Sequence, residues 1–377
     1  MIYFDNAATT IDKSEKVAHA IYESIMSKKY ANPSRGSYEL SVNSLRKMFE
    51  IRKSVANYFG IDDPLNVIFT PNITFALNFI IRSLFKSGDH IITSVAEHNS
   101  VLRPLYDFEK HGGEISFIDI DDNFNLKLDE IEPQIKENTK AVIITAASNV
   151  SGKITDLEKV YKICKKNNLK LIIDGAQLAG VKKFSLKNFD DTIFAFTGHK
   201  GLHGPQGTGG FLIKGDFSFN QVFSGGSGFD SFSKTQPHHI PELFEPGTAN
   251  LHSFVGLEAA IKELEENEPY ERLNNLTKLL YTELKKNKNL EFYTVLEDEN
   301  APIVSINIKG MDANTASEIL DEEYGICTRA GSHCAPLFHE RVGTRNRGIL
   351  RLSLSHYNTE EEIYKVAEAI SEISNNL

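Results

Sequence analysis

Four polar residues stand directly after short apolar, β-branched runs, where a buried strand would deliver a reacting group. They are Thr74 after N-V-I-F-T, His98 after D-H-I-I-T-S, Asp174 closing K-L-I-I-D, and Lys200 after T-I-F-A-F-T-G-H. In sheets whose strands alternate with helices, ligands sit beyond the carboxyl ends of the strands, so these positions converge on one edge. A hydroxyl, an imidazole, a carboxylate and an amine on one edge suit pyridoxal 5'-phosphate. That cofactor needs a lysine for its aldehyde, a carboxylate to keep its ring nitrogen protonated, donors for its phosphate and a flat group against its ring. The protonated ring draws off the electrons left when an amino acid loses its α-proton, so without Asp174 the sink would be weak. Taken singly, a Lys beside glycine is a solvated loop residue and a strand-end Asp is a helix cap. The combination carries the inference.

The elements that must position these groups follow from periodicity. Residues 66–70, 89–93, 115–118, 141–146, 170–174 and 192–197 read as buried strands. Amphipathic helices, for example 40–59 and 156–167, lie between several of them, which predicts an α/β fold with a mostly parallel sheet covered on both faces. From about 204 to 248 the chain turns rich in Gly, Ser, Phe, His and Pro, the mark of a functional or interfacial loop. A long helical pattern then runs over 252–288. Strands near 301–308 and 347–354 and helices near 313–323 and 359–375 predict a smaller α+β C-terminal lobe. The expected division is a large cofactor domain over 15–250, with 1–14 and 251–377 forming the lobe that carries Cys334.

Bulk properties exclude several classes. The 377 residues are 41% hydrophobic with a formal net charge of -10 and no polybasic run, which argues against nucleic acid or an anionic membrane as partner. The start has no basic segment followed by an apolar stretch, and the longest apolar runs are too short to span a bilayer. Three cysteines, an odd and sparse number, fit a reducing cytoplasm better than a disulfide-stapled fold. G-P-Q-G-T-G-G at 204–210 lacks the G-K-[ST] ending of a nucleotide loop. His333, Cys334 and His339 lack the regular spacing of structural zinc motifs, so no metal site is expected. Cys164 reads as a buried helix position and Cys327 as the end of a strand.

D-G-A-Q at 174–177 and T-G-H-K at 197–200, with the Gly-rich turn that follows, resemble the class V aminotransferase family of pyridoxal-phosphate fold type I. Y-F-D-N-A-A-T-T at 3–10, S-N-V-S-G at 148–152, E-P-G-T-A-N at 245–250 and R-A-G-S-H-C-A at 329–335 extend the likeness to cysteine desulfurases, in the branch that includes selenocysteine lyases. The resemblance runs in order over essentially the whole chain. It implies that Lys200 holds the cofactor and shuttles the substrate's α-proton, that Asp174 pairs with the ring nitrogen, and that Gln177 bonds the phenolic oxygen. His98 would stack on the ring and serve as acid or base, and Asn149 would contact the ring oxygen or the substrate. Ile73 and Thr74 at a helix start, with Thr197 and His199, would bind the phosphate. Thr248 would reach the phosphate of a neighbouring subunit, which implies a homodimer. Arg351 would grip the substrate carboxylate with two parallel hydrogen bonds.

Cys334 decides the reaction that the resemblance implies. Its thiolate would attack the sulfur of L-cysteine, leaving alanine and a persulfide for a sulfur-acceptor or scaffold protein in iron–sulfur or thio-cofactor assembly. Arg329 and His333 would favour the thiolate if they lie within a few ångströms. Small flanking residues suggest a loop that swings toward the cofactor. The loop reads Ser-His-Cys-Ala-Pro, where relatives of this branch commonly carry a second His and a Gln or Met, and position 75 is Phe rather than acidic. Selenocysteine lyase or cysteine sulfinate desulfinase, which share every cofactor residue, and a class V aminotransferase or another β-lyase, for which Cys334 would be dispensable, remain the alternatives.

Overall fold

Uninterrupted runs of Val, Ile, Phe and Ala have no polar face to offer water, so they pack between helices. The computed structural model builds its central sheet from them and describes residues 1–33, 36–228, 231–296 and 300–376. The chain runs β1 (Ile2–Tyr3), α1 (Glu15–Met26), α2 (Glu39–Phe59), β2 (Val67–Thr70), α3 (Ile73–Leu84), β3 (His90–Ser94), α4 (Asn99–Lys110), β4 (Glu114–Ile118) and β5 (Thr139–Thr145). It continues through α5 (Leu157–Lys166), β6 (Lys170–Asp174), β7 (Thr192–Thr197), β8 (Gly209–Lys214), α6 (Leu251–Asn267), α7 (Tyr270–Lys285), β9 (Leu290–Phe292) and β10 (Ile303–Ile308). The last elements are α8 (Ala313–Tyr324), β11 (Ile326–Cys327), β12 (Arg329–Gly331), α9 (Pro336–Arg341), β13 (Ile349–Ser353) and α10 (Glu360–Asn375).

The six strands expected from sequence are β2 to β7. With β8 they form a sheet of order β2-β8-β7-β6-β5-β3-β4, in which only β8 runs antiparallel to its neighbours. Sequence periodicity missed β8 because it opens on Gly209 and Gly210. A Cβ on Gly210 would overlap the carbonyl oxygen of Ile68 on the adjacent strand, so this crossing admits only glycine. One apolar core lies on each face of the sheet. A third core fills the smaller lobe, whose antiparallel sheet has the order β12-β13-β10-β9.

The expected single helix over 252–288 is two helices. Glu268 adopts φ 39° and ends α6, and Pro269, which has no N–H to donate, starts α7. The break has a packing cause. Leu257, Ile261 and Leu264 of α6 belong to a core of the large sheet, whereas Leu273, Leu276 and Leu280 of α7 belong to that of the smaller lobe.

The first ten residues are stitched to the far end of the chain. β1 pairs in parallel with β11, Phe4 is buried in the smaller lobe's core, and Asp5 bridges Ser353 at the end of β13. The Thr10 N–H then donates to the His199 carbonyl at 3.0 Å, tying the segment to the large sheet. No helix among the described residues is long and apolar enough to cross a membrane.

Candidate active site

A cavity of about 450 Å³ opens at the carboxyl ends of β2, β3, β5, β6 and β7. The turn after β2 supplies its anion-binding corner. Asn72 caps α3 with an extended backbone, its Oδ1 accepting from the Phe75 N–H at 3.2 Å. A helix start leaves N–H groups without intrahelical partners, and those of Ile73 and Thr74, both lining the cavity, remain for a ligand. Opposite them, the Thr197 hydroxyl and His199 Nδ1 are buried without a hydrogen-bond partner. Gly198 between them is required sterically, since a Cβ there would overlap the Thr208 hydroxyl.

Asp174 ends β6 and is 2% exposed, its Oδ1 accepting from the Ala176 N–H at 3.0 Å. Burial raises its proton affinity, while that hydrogen bond and the Lys200 charge oppose the rise. Lys200, three residues beyond β7, has a pKa lowered to about 8 by burial. The positive fields of Arg351 and Arg329 act in the same sense, and Asp174 acts against them. An acid and an amine thus share one low-dielectric cavity and feel each other. Gln177 donates from Nε2 to the Ala7 carbonyl at 3.0 Å.

His98 caps α4, with Nδ1 accepting from the Ser100 N–H at 3.0 Å. Burial, with the charges of Lys200, Arg329 and Arg351, lowers its pKa to about 4, so the ring is neutral. Because Nδ1 is an acceptor, the single ring proton sits on Nε2. Asn149 donates from Nδ2 to the His333 carbonyl at 2.7 Å. Arg351 on β13 is 1% exposed, bonded to Asp5 Oδ1 at 2.8 Å and to the Asn149 carbonyl at 3.0 Å.

Two of the residues singled out from sequence lie elsewhere. Thr248 lines a second, largely apolar cavity of about 670 Å³ with Phe69, Phe223 and Phe244, and accepts from Asn32 Nδ2 at 3.2 Å. Phe75 borders both cavities. Cys334 is exposed on the loop after β12 and does not line the 450 Å³ cavity, although the preceding His333 does. The expected swinging loop is held at several points. The Cys334 carbonyl accepts from the Asn99 N–H at 2.7 Å, the His333 carbonyl from Asn149, and the His333 ring bonds the Ile349 carbonyl at 2.8 Å. His333 and Cys334 both have positive φ, 48° and 56°, a left-handed pair that side-chain-bearing residues adopt only under constraint. Cys164 is buried in α5, where burial pushes its thiol to about 12, and Cys327 closes β11.

Sequence reasoning missed Glu97. It is fully buried, and its Oε1 accepts from the Ser94 hydroxyl at 2.5 Å and the Thr145 N–H at 2.9 Å, while Oε2 has no partner. Thr145 pairs in register with Asp174, so Glu97 braces the strand ends that carry His98 and Asp174. Burial raises its pKa from 4.5 to about 8, with the Asp174 charge adding to the rise. Between those values the unfolded chain releases the proton and the folded chain keeps it, so this group's contribution to stability falls as pH rises. Glu97→Gln keeps the shape without the titration. Its melting temperature relative to wild type is expected to climb by several degrees from pH 5 to pH 8, measured by calorimetry. A constant difference across that range would refute a protonated Glu97.

The sequence profile of the aminotransferase class-V family matches residues 2–366. A probable cysteine desulfurase of Pyrococcus abyssi is 32% identical over 391 residues, covering 100% of this chain and 95% of the relative. A probable cysteine desulfurase of Methanothermobacter thermautotrophicus is 30% identical over 384 residues, covering 99% and 94%. Among solved structures, the apo cysteine desulfurase of Thermococcus onnurineus superposes with a TM-score of 0.92 at 32% identity, covering 100% of this chain and 95% of that one. Likeness over the full length, in sequence and in fold, establishes that this chain belongs to the class-V aminotransferase family.

Proposed function

We propose that the protein is a cysteine desulfurase dependent on pyridoxal 5'-phosphate, converting L-cysteine to L-alanine and leaving a persulfide on Cys334. The observation that carries the reading is the shared cavity. Asp174 and Lys200, on neighbouring strand ends, share it with the unpartnered Thr197 hydroxyl and His199 Nδ1, and an exposed thiol lies one residue from its wall. These residues fit the cofactor. Ile73, Thr74, Thr197 and His199 would hold its phosphate, Asp174 its ring nitrogen, Gln177 its phenolic oxygen and Lys200 its aldehyde, with His98 against the ring. When bound, the cofactor supplies the electron sink that makes the α-proton of cysteine removable and its sulfur displaceable.

The chain's own groups do the rest. Lys200 Nζ takes the α-proton; burial lowers its pKa to about 8, so near neutral pH more of the amine is unprotonated and able to act as the base. Asn149 and Arg351 orient the substrate. The Cys334 thiolate attacks the substrate sulfur; an S–S bond forms, the C–S bond breaks, and its electron pair stays with the carbon fragment, which takes up protons and leaves as alanine. The persulfide then passes to an acceptor thiol of a partner protein for iron–sulfur or thio-cofactor assembly. Thr248 beside the second cavity supports a homodimer, and the three unpaired cysteines support a cytoplasmic setting.

Mass spectrometry of the peptide containing Cys334 after L-cysteine treatment tests the reading. One added sulfur, removable by dithiothreitol and absent from Lys200→Ala, is expected. Pyruvate and sulfide formed with no added sulfur on that peptide would instead favour a β-elimination chemistry of the family.

A further inference from the structure

Cys334 is exposed and stands outside the cavity wall, so a sulfur atom carried on it leaves toward solvent. The surface beside it is built on α4. The Asn99 N–H holds the Cys334 carbonyl at 2.7 Å, which sets the first turn of that helix against the backbone of the thiol residue. Residues three or four apart share one face of a helix, and Asn99, Arg103, Tyr106 and Lys110 form such a stripe. It faces away from the core side of α4, made by Val101, Leu105 and Phe108. Arg103 and Lys110 are exposed, and so is much of Tyr106. Tyr106 lies close enough to Glu340 of α9 for that charge to act on its hydroxyl, so α9, which begins two residues after Cys334, flanks the stripe.

The charges along this face are uneven. Glu340 is matched by Arg345 at 3.1 Å. Arg103 has no hydrogen bond or ion pair among the described residues, and its charge reaches His98 at the helix start. By helical rise, Arg103 is about 6 Å along the axis from Asn99, and the acidic Glu109 about 15 Å. The end nearest the thiol is therefore cationic, on a chain whose formal net charge is -10.

We propose that this face of α4 is the docking surface for the sulfur acceptor, and that the acceptor is a protein thiol flanked by acidic residues; the proposal rests on the persulfide reading above. The acceptor thiolate attacks the outer sulfur of the Cys334 persulfide. A new S–S bond forms, the S–S bond to Cys334 breaks, and its electron pair leaves as the Cys334 thiolate. An acidic partner is repelled by most of this anionic chain and drawn to Arg103, which raises the rate of productive encounters beside the thiol. An exposed Tyr next to an Arg is the kind of contact that carries most of the binding energy at protein interfaces.

The test loads Cys334 by treating the cofactor-bound protein with L-cysteine, removes the excess, and follows loss of the added sulfur to two peptides by mass spectrometry. One peptide carries a single Cys between Glu and Asp residues, the other a single Cys between Lys and Arg residues. Arg103→Glu is expected to lower the acidic-to-basic rate ratio at least about fivefold relative to wild type, with the difference fading in high salt. Comparing the ratio between proteins cancels the intrinsic reactivity of the two thiols. Persulfide loading and melting temperature should match wild type, since Arg103 is exposed and lies outside the cavity. A ratio unchanged by the substitution overturns the proposal. A wild-type protein that gains no sulfur on Cys334 overturns the persulfide reading itself.

Discussion

Lys200→Ala is expected to lower cysteine turnover at least about a thousand-fold, because one substitution removes both the covalent hold on the cofactor and the base for the α-proton. The magnitude follows from the setting. Burial and the fields of Arg351 and Arg329 bring the Lys200 amine to about 8, so near neutral pH it takes and gives a proton with little driving force lost in either direction. The substitution would leave His98 and His199 as the neutral imidazoles of the cavity, and both, lowered to about 4, are far weaker bases. Alanine production by wild type and variant gives the ratio. Partial rescue by added methylamine would separate lost chemistry from lost folding, and turnover within tenfold of wild type would remove Lys200 from the mechanism.

Cys334→Ser is expected to cut alanine formation by at least about a hundred-fold with cofactor binding intact, since a serine hydroxyl is a poor nucleophile toward sulfur. Three features make the outcome specific. The side chain is exposed, lies outside the cavity wall, and is anchored only through its backbone carbonyl, so the substitution should cost less than about 0.5 kcal/mol of stability. Cys164→Ser in the core of α5 should do the reverse, lowering the melting temperature while sparing the reaction. Full cysteine turnover by Cys334→Ser, with pyruvate, ammonia and sulfide as the products, would point to a β-elimination chemistry of this family.

Much of the cavity was legible because it is written locally. An apolar run that stops at a polar residue marks a strand end, and Thr74, His98, Asp174 and Lys200 fall on one sheet edge for that reason. Ile73 and Thr74 stand at the helix start that the resemblance implied, where the Asn72 side chain caps α3. What stayed hidden depends on register or on distant contact. The Arg329–Arg351 pairing exists only once β12 and β13 align, and the Asp5 contact spans 346 positions along the chain. Glu97 reads as an ordinary charged loop residue until Ser94 and Thr145 enclose it. The Cys334 loop reads as mobile from its small residues, yet its carbonyl groups are claimed by Asn99 and Asn149, side by side with the residues proposed to hold the cofactor and substrate.

The N-terminal stitch sets an order of assembly. Residues 1–10 are made long before their pairing strand, which ends at Cys327, and before their bridging partner Ser353. Until those arrive, Gln177 lacks the Ala7 carbonyl and Arg351 lacks Asp5. Most of the large sheet pairs strands that lie closer in sequence and can close earlier, whereas the cavity wall at Arg351 and Gln177 must wait for long-range contacts. The reactive cavity is therefore finished only once residues as late as Arg351 and Ser353 are in place.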